Sequence, residues 1–257
     1  MNKITIWFDN YVNSFADDED KTFCPLKLKT EHSRIVAKEI VDIANSIGFT
    51  KHDLLIAECI GLLHDIGRFE QYKKYRTFKD RDSENHAHIA LKVLKSTTVL
   101  DGFEPAEKTM ILRAIEFHNV KQIPDNLTPK EKVFAQLIRD ADKIDIFRIV
   151  IDYYRNMHKL RNEALDLGLP DAPGFTECII QDSLNGKTAD YNMMKTLNDF
   201  KVLQLGWVYD ISFTRSFEII SERKFLDDIY NYLPKTKQVN IIYENAKTRV
   251  KNGIETL

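Results

Sequence analysis

An all-α fold is predicted for this 257-residue chain, and three observations predict it. Apolar residues recur three and four positions apart along most of the sequence, which is the period of a helix face. Proline and glycine stand where those periodic stretches begin and end. No segment alternates apolar and polar residues as a half-buried strand would, and no repeat or low-complexity tract interrupts the pattern.

The elements follow in order. A helix over 30–47 opens at Thr30, carries the stripe His32, Val36, Ile40, Ile43 and Ile47, and stops at Gly48. The next, over 53–66, lines up Ile56, Ile60 and His64, with Gly61 on the same side leaving room for a close neighbour. Gly67 is expected to end it. A helix over 85–97 presents His86, Ile89, Ala90, Val93 and Leu94 on one face. Another, over 105–118, starts at Pro105 and aligns Ile111, Ala114, Ile115 and His118. A long helix over 129–158 starts at Pro129 and sets Asp142 among Phe134, Leu137, Ile138 and Ala141. The stretch 166–188, with Gly168, Pro170, Pro173, Gly174 and Gly186, reads as a long connecting loop. Helices over 189–206, 211–231 and 236–252 follow. Leu197, Phe200, Val202, Leu203 and Leu205 mark the first of these for burial against the domain or a second subunit.

Composition narrows the function. Hydrophobic residues make up 43% and charged residues 30%, an ordinary globular balance. A net charge of −2 offers no broad basic surface, so no nucleic-acid partner is expected. Cys24, Cys59 and Cys178 form no CxxC pair, which argues against a zinc knuckle and a disulfide framework, and Cys59 reads as a small core residue. The run Asp17-Asp18-Glu19-Asp20 reads as a solvated loop. The first fifteen residues lack a secretory pattern and no window approaches the length of a membrane span. A cytoplasmic protein without a membrane partner is therefore expected. Neither GxSxG nor a Walker loop occurs.

Five helices each turn a metal-capable side chain inward: His32, His64, His86, His118 and Asp142. One histidine on an apolar stripe is more often a hydrogen-bonded core residue than a ligand. Together they are harder to explain, because burying several imidazoles and two carboxylates without compensation is costly. A divalent cation removes that cost by taking them as ligands. Mixed imidazole and carboxylate donors suit Mn, Fe, Ni, Co or Zn better than calcium. His52, His88 and His158 sit among charged neighbours and read as surface residues. No histidine follows His158, which places the metal chemistry before about residue 160.

The order His32, then His64-Asp65 in "HDIGR", then Asp142 in "ADKID", resembles the HD superfamily of metal-dependent phosphohydrolases, whose signature is H…HD…D. The resemblance covers about residues 28–150. It implies an HD-type helical bundle in a single domain spanning 1–257, with the helices after about residue 160 packed on the core. It implies one metal held by His32, His64, Asp65 and Asp142. His86, in "HAHIALKVL", and His118, in "AIEFHN", fall where binuclear members hold a second metal bridged by the HD aspartate. That second site is left open, because Asn119 stands where another histidine would be. Leu28 replaces the extra glutamate ligand of cyclic-dinucleotide phosphodiesterases, and their GYP extension is absent.

What the resemblance implies for chemistry is hydrolysis of a small phosphate ester, a nucleotide or nucleotide-like metabolite. Asp65 and Arg68 are the expected catalytic residues, with Arg68 and Lys143 meeting the substrate and Asp145 orienting a ligand histidine. The alternative is a regulatory module that binds metal or ligand without catalysis. Homo-oligomerisation is left open.

Overall fold

Helix caps and apolar stripes set several boundaries of the structure, a computed structural model that describes residues 1–15, 25–157 and 161–255. The acidic run 17–20, Cys24 and His158 lie outside the described residues. All described regular structure is helical, with no strand among the described residues. The chain divides into two compact units, Met1–Asp145 and Ile146–Leu257.

The first unit begins with α1 (Asn2–Asn13), which buries Ile4, Phe8 and Val12 four residues apart. The sequence pattern had not singled out this helix, because Asp9 and Asn10 break its apolar run. They fall off the buried stripe. α2 (Pro25–Ser46) starts five residues earlier than expected, and Thr30 is no cap: its hydroxyl donates to the Leu26 carbonyl at 2.9 Å. α3 (Lys51–Leu63) is capped by Thr50, whose hydroxyl accepts from the Asp53 amide. α2 and α3 form the most extensively packed helix pair among the described residues, and Gly61 explains how. A Cβ there would stand 2.7 Å from Ala37 Cα, so only glycine lets the two backbones approach.

Gly67 does not terminate α3, as the sequence suggested. It opens α4 (Gly67–Tyr75), and its value lies in tertiary contact: a Cβ would fall 2.1 Å from the His86 carbonyl oxygen and 2.6 Å from the Ala90 amide. The start of α4 is thereby pressed against α5 (His86–Lys95). α6 (Pro105–Glu116) opens with Pro105 and a Glu104–Glu107 capping box. α7 (Pro129–Asn156) opens with Thr128 and Glu131 capping each other.

In the second unit the expected loop over 166–188 contains the end of α8 (Glu163–Asp166) and all of α9 (Glu177–Leu184). The helix expected over 189–206 begins only at α10 (Leu197–Gly206), where Thr196 and Asp199 form a capping box. All ten α10 residues are buried, so its apolar set is not a stripe on one face. The helix expected over 211–231 is two, α11 (Thr214–Glu222) and α12 (Phe225–Asn231), because Lys224 takes a left-handed conformation between them. α13 (Lys237–Glu255) closes the described chain and packs on α9, α10 and α11. No helix among the described residues is long and apolar enough to cross a membrane.

Candidate metal centre

Asp65 is the hub of the first unit's polar interior. It follows the last turn of α3, where the His64 amide still bonds the Ile60 carbonyl at 2.9 Å. The Asp65 carbonyl then accepts from the Arg68 amide, so the chain turns tightly into α4. This turn lets two adjacent side chains point into one space, although neighbours on a regular helix diverge by about 100°. Gly61 brings α2 and its His32 to one side, and Gly67 brings α5 and its His86 to the other.

The two oxygens of Asp65 face two different groups. Oδ2 lies 3.7 Å from His32 Nε2 and 3.8 Å from His64 Nε2. Asp142 on α7 closes this group, with its Oδ1 3.1 Å from His32 Nε2 and 3.7 Å from His64 Nε2. Oδ1 lies 3.3 Å from His86 Nε2 and 3.9 Å from His118 Nε2. The four rings run in a chain: His32 to His64 at 5.2 Å, His64 to His118 at 5.2 Å, His118 to His86 at 4.9 Å between centroids. All four histidines and Asp65 are buried. Donor atoms of His32, His64 and Asp142, and again of His64, Asp65 and His118, lie within 4.8 Å of one another.

Each ring is turned by a bond on its outer nitrogen. His64 Nδ1 donates to the Gly61 carbonyl at 2.8 Å, and His118 Nδ1 to the Ile115 carbonyl at 2.7 Å. A carbonyl only accepts, so Nδ1 carries the proton and Nε2 presents a lone pair inward. Asp145 holds His32 Nδ1 at 2.7 Å, and Asp80 holds His86 Nδ1 at 2.8 Å. Outer partners of this kind fix tautomer and orientation in metal sites.

The consequence is a set of buried acceptors facing acceptors. His32 Nε2 and His64 Nε2 have no hydrogen-bond partner. His86 Nε2 and His118 Nε2 face each other at 2.9 Å, with both Nδ1 protons already committed outward. Such convergence is unfavourable without a cation between the lone pairs. The residues therefore fit one metal among His32, His64, Asp65 and Asp142, and their arrangement fits a second among Asp65, His86 and His118.

Electrostatics agree. Burial raises the pKa of Asp65, but Lys29, His64, Arg68 and His86 outweigh it and hold the carboxyl well below its usual range. Asp142 is likewise held low, burial being outweighed by its contacts with His32 and His64. Burial, with His86 and His64 nearby, pulls His118 down to about 3, and burial with Arg68 lowers His86. Both stay neutral, as ligands must. His32 is raised, because Asp142 and Asp145 outweigh burial and Lys29.

The remaining expected residues lie nearby. Arg68 Nη1 donates to the Phe78 carbonyl at 2.6 Å, Gln71 Oε1 at 2.9 Å and Asp80 Oδ1 at 3.1 Å, while its Nε stands 3.4 Å from Asp65 Oδ1. Lys143 follows Asp142 on α7 and is half-buried. Asn119 donates to Asp80 Oδ2 and Asn85 Oδ1, both at 3.2 Å, and its own oxygen has no partner. His52 and His88 are exposed. Two residues escaped sequence reasoning. Asp80 sits in the segment between α4 and α5, where no periodicity points to it. Lys29 donates to Asp65 Oδ2 at 2.7 Å, and its spacing of three from His32 was a usable signal.

Comparison with known proteins agrees with this geometry. The family model of the HD domain matches residues 30–147, a span that contains every histidine and aspartate of the centre. No curated protein and no solved structure matches the chain.

Proposed function

We propose that this HD-domain protein is a metal-dependent phosphohydrolase acting on a small phosphate ester. One observation carries the reading: two groups of buried, inward-facing donors share the Asp65 carboxylate, one oxygen each. His32, His64, Asp65 and Asp142 would hold the first metal, and Asp65, His86 and His118 a second. When bound, such a metal supplies Lewis acidity toward a phosphoryl oxygen and acidifies water. Asp65 positions both sites, and its depressed pKa keeps it an acceptor at neutral pH. Arg68 is clamped by Phe78, Gln71 and Asp80 beside Asp65, so its charge is fixed in place where negative charge develops on phosphate. Lys143, next to Asp142, is assigned to the substrate.

Elemental analysis of the purified chain, followed by a phosphatase screen over nucleotides and other small esters with Mn, Fe, Ni, Co and Zn, tests the reading. Bound metal with hydrolysis supports it. Bound metal without hydrolysis of any ester refutes the catalytic reading in favour of a regulatory module. The second site is tested by His86→Ala, expected to lower activity while about one metal per chain survives dialysis. Loss of all metal would place His86 in the first site.

A further inference from the structure

Among the charged groups around Asp65, Lys29 differs from Arg68 in one respect. Arg68 is tied to three acceptors besides its contact with Asp65. The Lys29 ammonium has a single ion pair among the described residues, and that partner is Asp65 Oδ2, at 2.7 Å. Oδ2 is the oxygen that faces His32, His64 and Asp142. The Lys29 side chain is 16% exposed and lies one helical turn before His32. The Phe78 ring lies 5.7 Å from its Nζ and 5.9 Å from Arg68 Cζ.

One carboxylate oxygen cannot serve both a divalent ion and an ammonium at full strength. A dication held by His32, His64 and Asp142 would repel the ammonium and compete for its partner. A largely buried cation without an anion is unfavourable, so Lys29 needs a new one within reach of its flexible stem. A phosphate seated on the same centre supplies it.

Resting on the phosphohydrolase reading, we propose that Lys29 is a substrate-binding residue, which exchanges Asp65 for a non-bridging phosphate oxygen once the first metal is in place. Lys29 thereby neutralises Asp65 in the metal-free chain and phosphate charge in the loaded one. With Arg68 it brackets the Phe78 ring, which forms an apolar wall beside the phosphate. The class of ligand selected is a terminal phosphate dianion, whose unesterified oxygens offer one for the metal and one for the ammonium.

The test uses the full chain loaded with Mn²⁺ and inorganic phosphate as the probe, in wild type, Lys29→Met and Lys29→Arg. Calorimetry reads phosphate affinity, and elemental analysis of the same samples reads metal. Lys29→Met is expected to weaken phosphate by about tenfold or more with metal content equal to or above wild type, and Lys29→Arg to recover most of the loss. Unchanged phosphate affinity at equal metal content overturns the assignment. So does loss of metal in Lys29→Met, which would make Lys29 a support for Asp65 alone. Should Lys29→Met fail to fold, Lys29→Gln is read by the same criteria. A wild-type chain that loads metal but binds no phosphate overturns the phosphohydrolase reading, and this assignment with it.

Discussion

Both units bury carboxylates inside helical cores, but they treat them in opposite ways. In the second unit Asp199 accepts from the Thr176 amide at 2.6 Å, the Thr176 hydroxyl at 2.7 Å, and the amides of Lys195 and Thr196 at 2.9 and 3.0 Å. Asp166 accepts from the Tyr153 hydroxyl at 2.6 Å, Arg161 Nη2 at 2.8 Å and the Gly168 amide at 2.9 Å. Every oxygen of these two carboxylates meets at least one donor. In the first unit the carboxylates of Asp65 and Asp142 share one space with the inward nitrogens of His64 and His118, whose ring protons are committed to the Gly61 and Ile115 carbonyls, and Lys29 is the hydrogen-bond donor to Asp65. The second unit has its own orphans, Ser183 Oγ, Gln204 Nε2 and Ser216 Oγ, but these are neutral hydroxyl and amide atoms. Buried polarity alone therefore does not mark a functional site. Convergent acceptors without donors do.

Removing a hub of each unit breaks this comparison most sharply. His64→Ala or Asp65→Ala is expected to abolish both bound metal and hydrolysis, read by elemental analysis and turnover. Wild-type activity in either variant would sink the metal-centre reading. Asp145→Ala removes the acceptor that orients His32. Metal affinity should fall by about 10–100-fold with the fold intact, the range typical of such outer partners. An unchanged affinity would mean that packing alone holds the His32 ring. Asp199→Ala should leave metal untouched and cost about 1–3 kcal/mol of stability, since it strands the Thr176, Lys195 and Thr196 amides. Metal loss in that variant would contradict the division of roles between the units.

How far the sequence could be read follows from the same physics. The helical class and the inward His and Asp residues were legible because both depend on a period, and a period survives without coordinates. Residues outside a period were not. Asp80 has no stripe to belong to, yet it orients His86 and anchors Arg68 and Gln71. The role of Gly67 was misassigned because a glycine after an apolar helix normally caps it, whereas here the constraint is a backbone 2.1 Å from a hypothetical Cβ. α10 was drawn too long because a helix buried on all sides shows no stripe. Its start was readable only in the T-x-x-D box of Thr196 and Asp199. Asp199 also illustrates the limit of the stripe argument, since by that criterion it is as metal-capable as Asp142. Only the partners separate them.

The smallest expected effect concerns pH and the metal-free chain. His118 titrates near 3 when folded, below the ordinary value of about 6.5. Between those values the unfolded chain binds the extra proton, so His118 stability falls as pH drops through that window. His86, also depressed, acts in the same direction. His32 opposes them: its folded pKa is raised, so its contribution is full below about 6.5 and is lost as pH rises through the raised value. His118 alone would lose roughly 2 kcal/mol between about pH 7 and pH 5, with His86 adding to that loss and His32 offsetting it. In the second unit Asp199 is held below the usual carboxylate value, burial being outweighed by bonds from Thr176, Lys195 and Thr196. Its contribution is present above about pH 4 and is lost only below it. Hydrogen exchange of the chelator-treated chain, corrected for the intrinsic effect of pH, should therefore show loosening of α6 at about pH 5 while α10 stays protected. Loosening of α10 first, or of neither, would mean that the imidazoles of the centre do not set the acid response of their own unit.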